Sequence, residues 1–370
     1  MAVRAVTFAA HDCDRFVEEV KSRVAAYFDE RKLSIKGNAA MVTKTVLMLA
    51  GLFVPYAMIM TNELPGWAMM ICCVVMGVAL AGIGFSVSHD ALHGAYSHNP
   101  RVNDLIGFTF DILGANGYMW KITHNVIHHT YTNIHGIDED LEVTPLLRLS
   151  PQAKHHPWQR FQHLYAPLAY SMSTLNWLFA KDFDLFTRKN LGPYLNKKHP
   201  KKEIAVLVIG KLFMLAWAVV LPLLVLDITW WQFAIGFLTV HLIGGTILGV
   251  IFQLAHVVEQ TAHPVPDDLG RMPNGWLVHE MLTTANFCVG NKVLTWYVGG
   301  LNHQIEHHLF PKTCSVHYPA LAPIVKEVAE KHGIPYYNNP TFLQAFGSHL
   351  KMLRRLGRAE APNVLSAQAA

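Results

Sequence analysis

Apolar residues fill four long runs in this chain, and the polar gaps between them are of two kinds, very short and very long. Val42 to Thr61 and Trp67 to Ser88 are each long enough to cross a hydrocarbon core of about 30 Å as a helix, with only the turn NELPG between them. Two further runs, Ala205 to Leu226 and Trp231 to Phe252, flank the turn DITW. This pattern predicts two tight helical hairpins and an all-α integral membrane fold with four transmembrane helices. A polar stretch, 89–204, lies between the hairpins, and another, 253–320, follows them. Residues 1–40 form an N-terminal segment whose DRFVEEVKSRVAAYFDERK alternates acidic and basic positions at helical spacing, predicting a solvated helix. The C-terminal segment, 321–370, ends in AEAPNVLSAQAA, a composition expected of a disordered tail. No cleavable leader is evident, because the first apolar run is too long and lacks a small-residue site after it.

Composition agrees with the pattern. The 370 residues are 52% hydrophobic and 15% charged, with a mean hydropathy of +0.23, on the apolar side of soluble domains. The net charge of +4 is dispersed, with no aromatic-interleaved basic stripe, so a nucleic-acid partner is excluded. Five cysteines form no CxxC pair, which argues against thiolate zinc sites and a disulfide framework. The two short turns contain no Lys or Arg, whereas the termini and the middle stretch hold nearly all of them. By the positive-inside rule both termini and the long polar segments are expected to be cytoplasmic. Lys44 and Lys211, near the cytoplasmic ends of their runs, are expected to snorkel.

The chain holds 22 histidines, and several fall into boxes on that expected side. HDALH carries His89 and His93, HNVIHH carries His124, His128 and His129, and QIEHH carries His307 and His308. Residues four apart share a helix face, so each box can point two imidazoles at one metal, and the extra adjacent histidine can reach a second. A catalytic zinc keeps about three protein ligands, so seven imidazoles call for two metals or for many bystanders. His256, ending the fourth run in FQLAH, would join the same layer as an eighth. His241, inside that run, reads as a packing residue, and His303 and His317 as supports of the third box.

Imidazole suits zinc, copper, iron and nickel alike. HDALH lacks the His-Glu pair that gives a zinc protease its general base. A redox reaction on lipid fits better: an unactivated methylene offers no acidic proton and no leaving group, and its hydrogen yields only to a strong oxidant made from dioxygen on a metal.

HDALH, HNVIHH and GGLNHQIEHHLFP, in this order around two hydrophobic hairpins, resemble the membrane fatty acid desaturase family over roughly residues 40 to 320, and Gln304 at the start of the third box resembles its front-end branch. The resemblance implies a desaturase domain at 41–320, a cytosolic cap over the four spans, and two iron ions with O2 as co-substrate. It implies His89, His93, His124, His128, His129, His256, His307 and His308 as iron ligands. Gln304 stands where other branches have histidine, and Phe252 where some relatives have an asparagine. The implied activity is introduction of a cis double bond into a fatty acyl-CoA or acyl-lipid, of delta-6 or delta-5 type on a linoleoyl-like substrate. Related oxygenases (hydroxylase, acetylenase, ketolase, decarboxylase) remain open, as does, more distantly, a membrane zinc hydrolase or a metal or haem carrier.

Around the boxes, Asp90, Asp138, Asp140, Glu259, Glu306, Asn125 and Asn302 are candidates to orient ligands, since metal-bound histidines usually donate their second N–H to a carboxylate or carbonyl. Trp120, Phe287, Trp296 and Tyr297 are candidates for the wall of an acyl tunnel, and Gly299-Gly300 for a close backbone approach. The chain has no HPGG haem motif, so a separate ferredoxin or b-type cytochrome with its reductase is expected to supply electrons. The basic segments KNLGPYLNKKHPKK and LKMLRRLGR would suit an acidic carrier or lipid headgroups.

Overall fold

A computed structural model describes residues 6–9, 14–141 and 145–359. Its frame is four helices long and apolar enough to cross a bilayer: Ala39–Met60, Gly66–Leu92, Lys201–Val225 and Trp230–His256. Each extends beyond the apolar run that predicts it, the second and fourth by four residues at the histidine-bearing end. Backbone bonding inside a helix satisfies every polar main-chain group, which is what permits such segments in lipid. The second span is the innermost, with 56% of its most apolar window buried against 22 to 28% for the other three, and it packs on the first and the fourth.

Helices within 162–187 pack along the third and fourth spans, and most of the rest gathers at one end as a helical cap. Its sole sheet among the described residues is a two-residue parallel pair, Asn286–Phe287 with Asn338–Asn339. The N-terminal helix Asp14–Glu30 is not solvated on all sides: Phe16, Val20, Val24 and Phe28 are buried, and the helix packs on Tyr318–Lys331. The boundary expected at 320/321 falls inside that partner helix, and Phe342–Gly357 packs Met352, Leu353 and Leu356 into the main core. Of the tail expected from Ala359, residues 360–370 lie outside the described residues.

Two polar details correct the expected snorkelling. Lys44 is buried. Lys211 is buried too, and its Nζ donates to Asp182 Oδ2 at 2.7 Å, the Gly114 carbonyl at 2.6 Å and the Trp177 carbonyl at 2.8 Å. Instead of reaching headgroups it ties the third span to the segment 177–182, where its charge is paired as the low-dielectric surroundings require. His241 is likewise buried, with Nδ1 3.2 Å from Thr174 Oγ1. The loop before the third box fits against the second span because Gly299 and Gly300 adopt φ of +62° and +70°; a Cβ on Gly299 would lie 2.6 Å from the Phe85 carbonyl oxygen.

Candidate metal centre and acyl cavity

The helices that deliver the first five histidines both leave α geometry as they do so. The second span is π-helical over Ile83–Ser88, immediately before His89, and the helical run 117–131 is π-helical over Lys121–His128. Such wide turns are uncommon and concentrate at functional sites, because they re-aim side chains that a regular helix would stack. The fourth span ends on His256, and the short helix Gln304–Leu309 carries His307 and His308.

Two groups result. His89, His93, His124 and His307 each bring one nitrogen within 4.8 Å of the others, and so do His128, His256 and His308. His129 lies between them: it forms such a group with His307 and His308, and its ring centroid is 4.8 Å from that of His93. The spacing by four brings His89 and His93 into one group, and His124 and His128, stacked with centroids 5.0 Å apart, form a further group with Asp140, so that His124 and His128 link the two clusters, as the adjacent His307 and His308 do through His129.

The donors fit metal ions. Nε2 of His93, His124, His128, His256, His307 and His308 is buried without a hydrogen-bond partner, a costly arrangement unless the lone pairs are used otherwise. Burial, reinforced by the neighbouring imidazoles, holds His93, His124, His129, His307 and His308 far below the usual histidine range, which keeps them in the neutral form that binds metal. For His128 burial pulls the same way, but Asp138 and Asp140 outweigh it and the net shift is upward.

The second nitrogens are held from behind. His128 Nδ1 donates to Asp138 Oδ2 at 3.0 Å, His124 Nδ1 to Asp140 Oδ2 at 3.4 Å and His308 Nδ1 to Glu280 Oε2 at 2.6 Å. His307 Nδ1 lies 3.1 Å from the Tyr318 hydroxyl, and His256 Nδ1 donates to the Thr283 carbonyl at 3.4 Å. Asp90 sits 3.6 Å from His89 Nδ1 and accepts from Ser315 N and Oγ. Glu306 instead accepts from Asn286 Nδ2 and the Tyr336 hydroxyl, 3.8 Å from His303 Nδ1, and burial pushes its carboxyl up to about 7. Asn302 donates to the Cys288 carbonyl and Thr295 Oγ1, and Asn125 to the Leu92 carbonyl, so both brace backbone and touch no box histidine. Glu259 pairs with Arg355 and Lys351 at the surface, away from the boxes.

Sequence reasoning missed Glu280, Tyr318 and Thr283. Only Glu280 left a trace, as a lone carboxylate in the apolar helix WLVHEMLT. Its neighbour His279 is buried too, with Nε2 2.9 Å from the Thr132 carbonyl.

A cavity of about 600 Å³ reaches the His89 group. His89, His124, His307 and Gln304 line it beside Trp120, Phe252 and Gln253. Phe252 stands 5.3 Å, ring to ring, from His128 and from His256 and 6.1 Å from His124, so it touches both groups. The other three expected wall aromatics do not line this cavity. Phe287 is in the core beneath the cap, Trp296 is exposed, and Tyr297 donates its hydroxyl to the Val78 carbonyl.

Four apolar spans, a helical cap, eight buried histidines and an apolar cavity ending on them define a membrane metalloenzyme that works on long apolar chains. The family model for fatty acid desaturase matches residues 65–340, and the chain belongs to that family. It is 36% identical to an sn-1 linoleoyl-lipid 6-desaturase of Synechocystis sp. over 93% of this chain and 96% of the relative. An sn-1 linoleoyl-lipid 6-desaturase of Arthrospira platensis is 33% identical, covering 92% of each chain. An acyl-lipid (8-3)-desaturase of Physcomitrium patens is 32% identical over 95% of this chain and 74% of its own length. The protein is an oxidoreductase, a fatty acid desaturase of the front-end branch that its QIEHH box suggested.

Proposed function

We propose that the protein is an acyl-lipid 6-desaturase acting on linoleoyl chains esterified to membrane glycerolipids. The observation that carries this reading is the 36% identity to the Synechocystis enzyme across nearly the whole of both chains. The reaction removes two hydrogens from adjacent methylenes and, with O2, two external electrons and two protons, yields a cis double bond and two waters. Two irons are the proposed cofactor, one held by His89, His93, His124 and His307, the other by His128, His256 and His308, with His129 between them. When bound, they supply the activation of O2 that an unactivated C–H bond demands.

The remaining work belongs to side chains. Asp138, Asp140 and Glu280 fix the tautomer and orientation of His128, His124 and His308, as carboxylates behind metal ligands do. Trp120 and Phe252 exclude water and press the acyl chain toward His89 and His124. The neutral amide of Gln304, at the cavity wall beside His307, orients by hydrogen bonding more than it binds metal. Both termini and the cap face the cytoplasm, and electrons come from a separate ferredoxin or b-type cytochrome with its reductase, docking on the basic residues within 189–202 and 350–358.

Methyl ester analysis of cells making the chain and supplied with linoleate is expected to reveal the 6,9,12-triene in membrane lipids. An unchanged profile, or a bond at another carbon, overturns the assignment. For orientation, a cysteine placed at Asn62 or Glu63 should react with an impermeant reagent outside intact cells; reaction at Ser97 instead would invert the topology.

A further inference from the structure

The stretch 157–187 belongs by sequence to the polar region between the hairpins, yet it behaves as a lipid-facing element. Helices Gln162–Ser171 and Ser173–Asn176, the π-turn Trp177–Lys181 and Asp182–Thr187 form a nearly continuous run. Its inner face is buried at Gln162, Ala166, Tyr170, Thr174, Leu178 and Asp182. Its outer face carries Trp158, Phe161, Leu164, Leu168, Met172 and Phe179, all exposed, with Leu164 and Leu168 at 70%. A helix whose inner face is already packed on protein and whose outer face is apolar is stable where lipid covers that outer face.

Contacts fix its depth. Thr174 Oγ1 donates to the His241 carbonyl and Ser173 Oγ to the Gly245 carbonyl, both well inside the fourth span. At a rise of about 1.5 Å per residue, His241 lies roughly 22 Å along that span from His256. Lys211, which holds Trp177 and Asp182, is ten residues into the third span. The outer stripe is therefore continuous with the exposed apolar surface of the third and fourth spans, at Ile209, Leu212 and Phe213 for example.

The same run forms one wall of the acyl cavity, and its exposure shows where that cavity opens. Among the polar liners, those at the histidine end (His89, His124, Gln253, Gln304 and His307) are buried, whereas Asp140, Ser173 and Lys181 are partly exposed. The liners that are exposed are Leu146, Met172, Asn176, Phe179 and Ala180, and four of these five belong to the run.

We infer that residues 157–187 lie within the bilayer leaflet on the cap side and frame a lateral portal, through which the acyl chain of a glycerolipid reaches the histidines without leaving the membrane. This rests on the acyl-lipid reading above and adds the route. An amphiphile bound to the membrane presents its chain at this depth, whereas a chain carried by a soluble thioester would have to enter from the polar cap side.

The test uses the full chain in dioleoyl phosphatidylcholine vesicles, with benzoylphenylalanine in place of Leu168 or Phe179 and, as references, in place of the exposed Arg101 or Lys326. Illumination should give lipid adducts several-fold above the references at Leu168 and Phe179. Adducts no more frequent there than at Arg101, or adducts to protein instead of lipid, overturn the placement. Because cross-linking needs no turnover, its failure is separate from failure of the substrate assignment, which the methyl ester profile reports. At the mouth, Ala180→Trp should lower formation of the 6,9,12-triene in lipids of cells supplied with linoleate several-fold, with metal content of the purified variant unchanged; full activity in that variant overturns the portal.

Discussion

The two histidine groups are built differently on their outer sides. His128 and His308 lean on the fully buried carboxylates of Asp138 and Glu280, and their group lies away from the acyl cavity. In the other group His89, His124 and His307 form part of the cavity wall, with Asp140, 15% exposed, behind His124, the buried Asp90 3.6 Å from His89 and the neutral Tyr318 hydroxyl behind His307. The carboxylates of the inner group make the shorter contacts, 3.0 and 2.6 Å against 3.4 Å or more in the outer one. The comparison separates an inner site held by close hydrogen bonds from an outer one that opens on the cavity.

The harshest way to break that comparison is to remove a ligand from each side. His308→Ala and His93→Ala should both abolish double-bond formation and lower bound metal, measured by product yield and metal analysis on the same preparation. Next comes Gln304→Ala, expected to keep most of its metal and lose most of its activity, by about 10 to 100-fold, the range for groups acting behind the ligands. Metal depletion equal to that of His308→Ala would make Gln304 a ligand. The asymmetry is sharpened by Glu280→Gln against Tyr318→Phe. The first should weaken metal retention by about 10 to 100-fold in a chelator titration, and the second only a few-fold, because a neutral hydroxyl stabilises the ligand less than a carboxylate does.

The smallest effect concerns the frame beneath the inner group. His349 Nδ1 donates to the carbonyl of Val257, which follows His256, and its Nε2 lies 2.9 Å from the Tyr170 hydroxyl. Burial lowers its pKa to about 4, and it does the same to His263 and His279. A histidine depressed in the folded state gives stability that is whole above the unfolded value near 6.5 and is lost as pH falls toward 4, where the unfolded chain takes up the proton first. The thermal midpoint should fall between pH 7 and pH 5, each such histidine contributing at most about 3 kcal/mol over its full shift. His349→Gln should have a lower midpoint at pH 7 and a shallower acid slope.

Much of the scaffold could be read from the chain because its signals are local. Four apolar runs gave the spans to within four residues, and the spacing of HDALH, HNVIHH and QIEHH identified the histidines that converge. Glu280, Tyr318 and Thr283 could not be read, since each reaches its histidine from a different element: Glu280 is 28 residues before His308, and Thr283 is 27 after His256. Phe287, Trp296 and Tyr297 were candidates for the tunnel wall because aromatic residues near a box look alike in sequence, whether they face a cavity, the core or the surface.

The sequence by itself determined that this is a four-span helical protein and which residue types gather at its capped end, because hydrophobic length and helical period depend on neighbours along the chain. Only the tertiary structure decided how the eight histidines gather into overlapping groups, which carboxylates stand behind them, and that the stretch 157–187 carries an uncovered apolar face. The convergence followed from how the second and fourth spans and two cap helices meet, and the uncovered face from packing against the third and fourth spans. Both are properties of how elements meet in space, which no local period encodes.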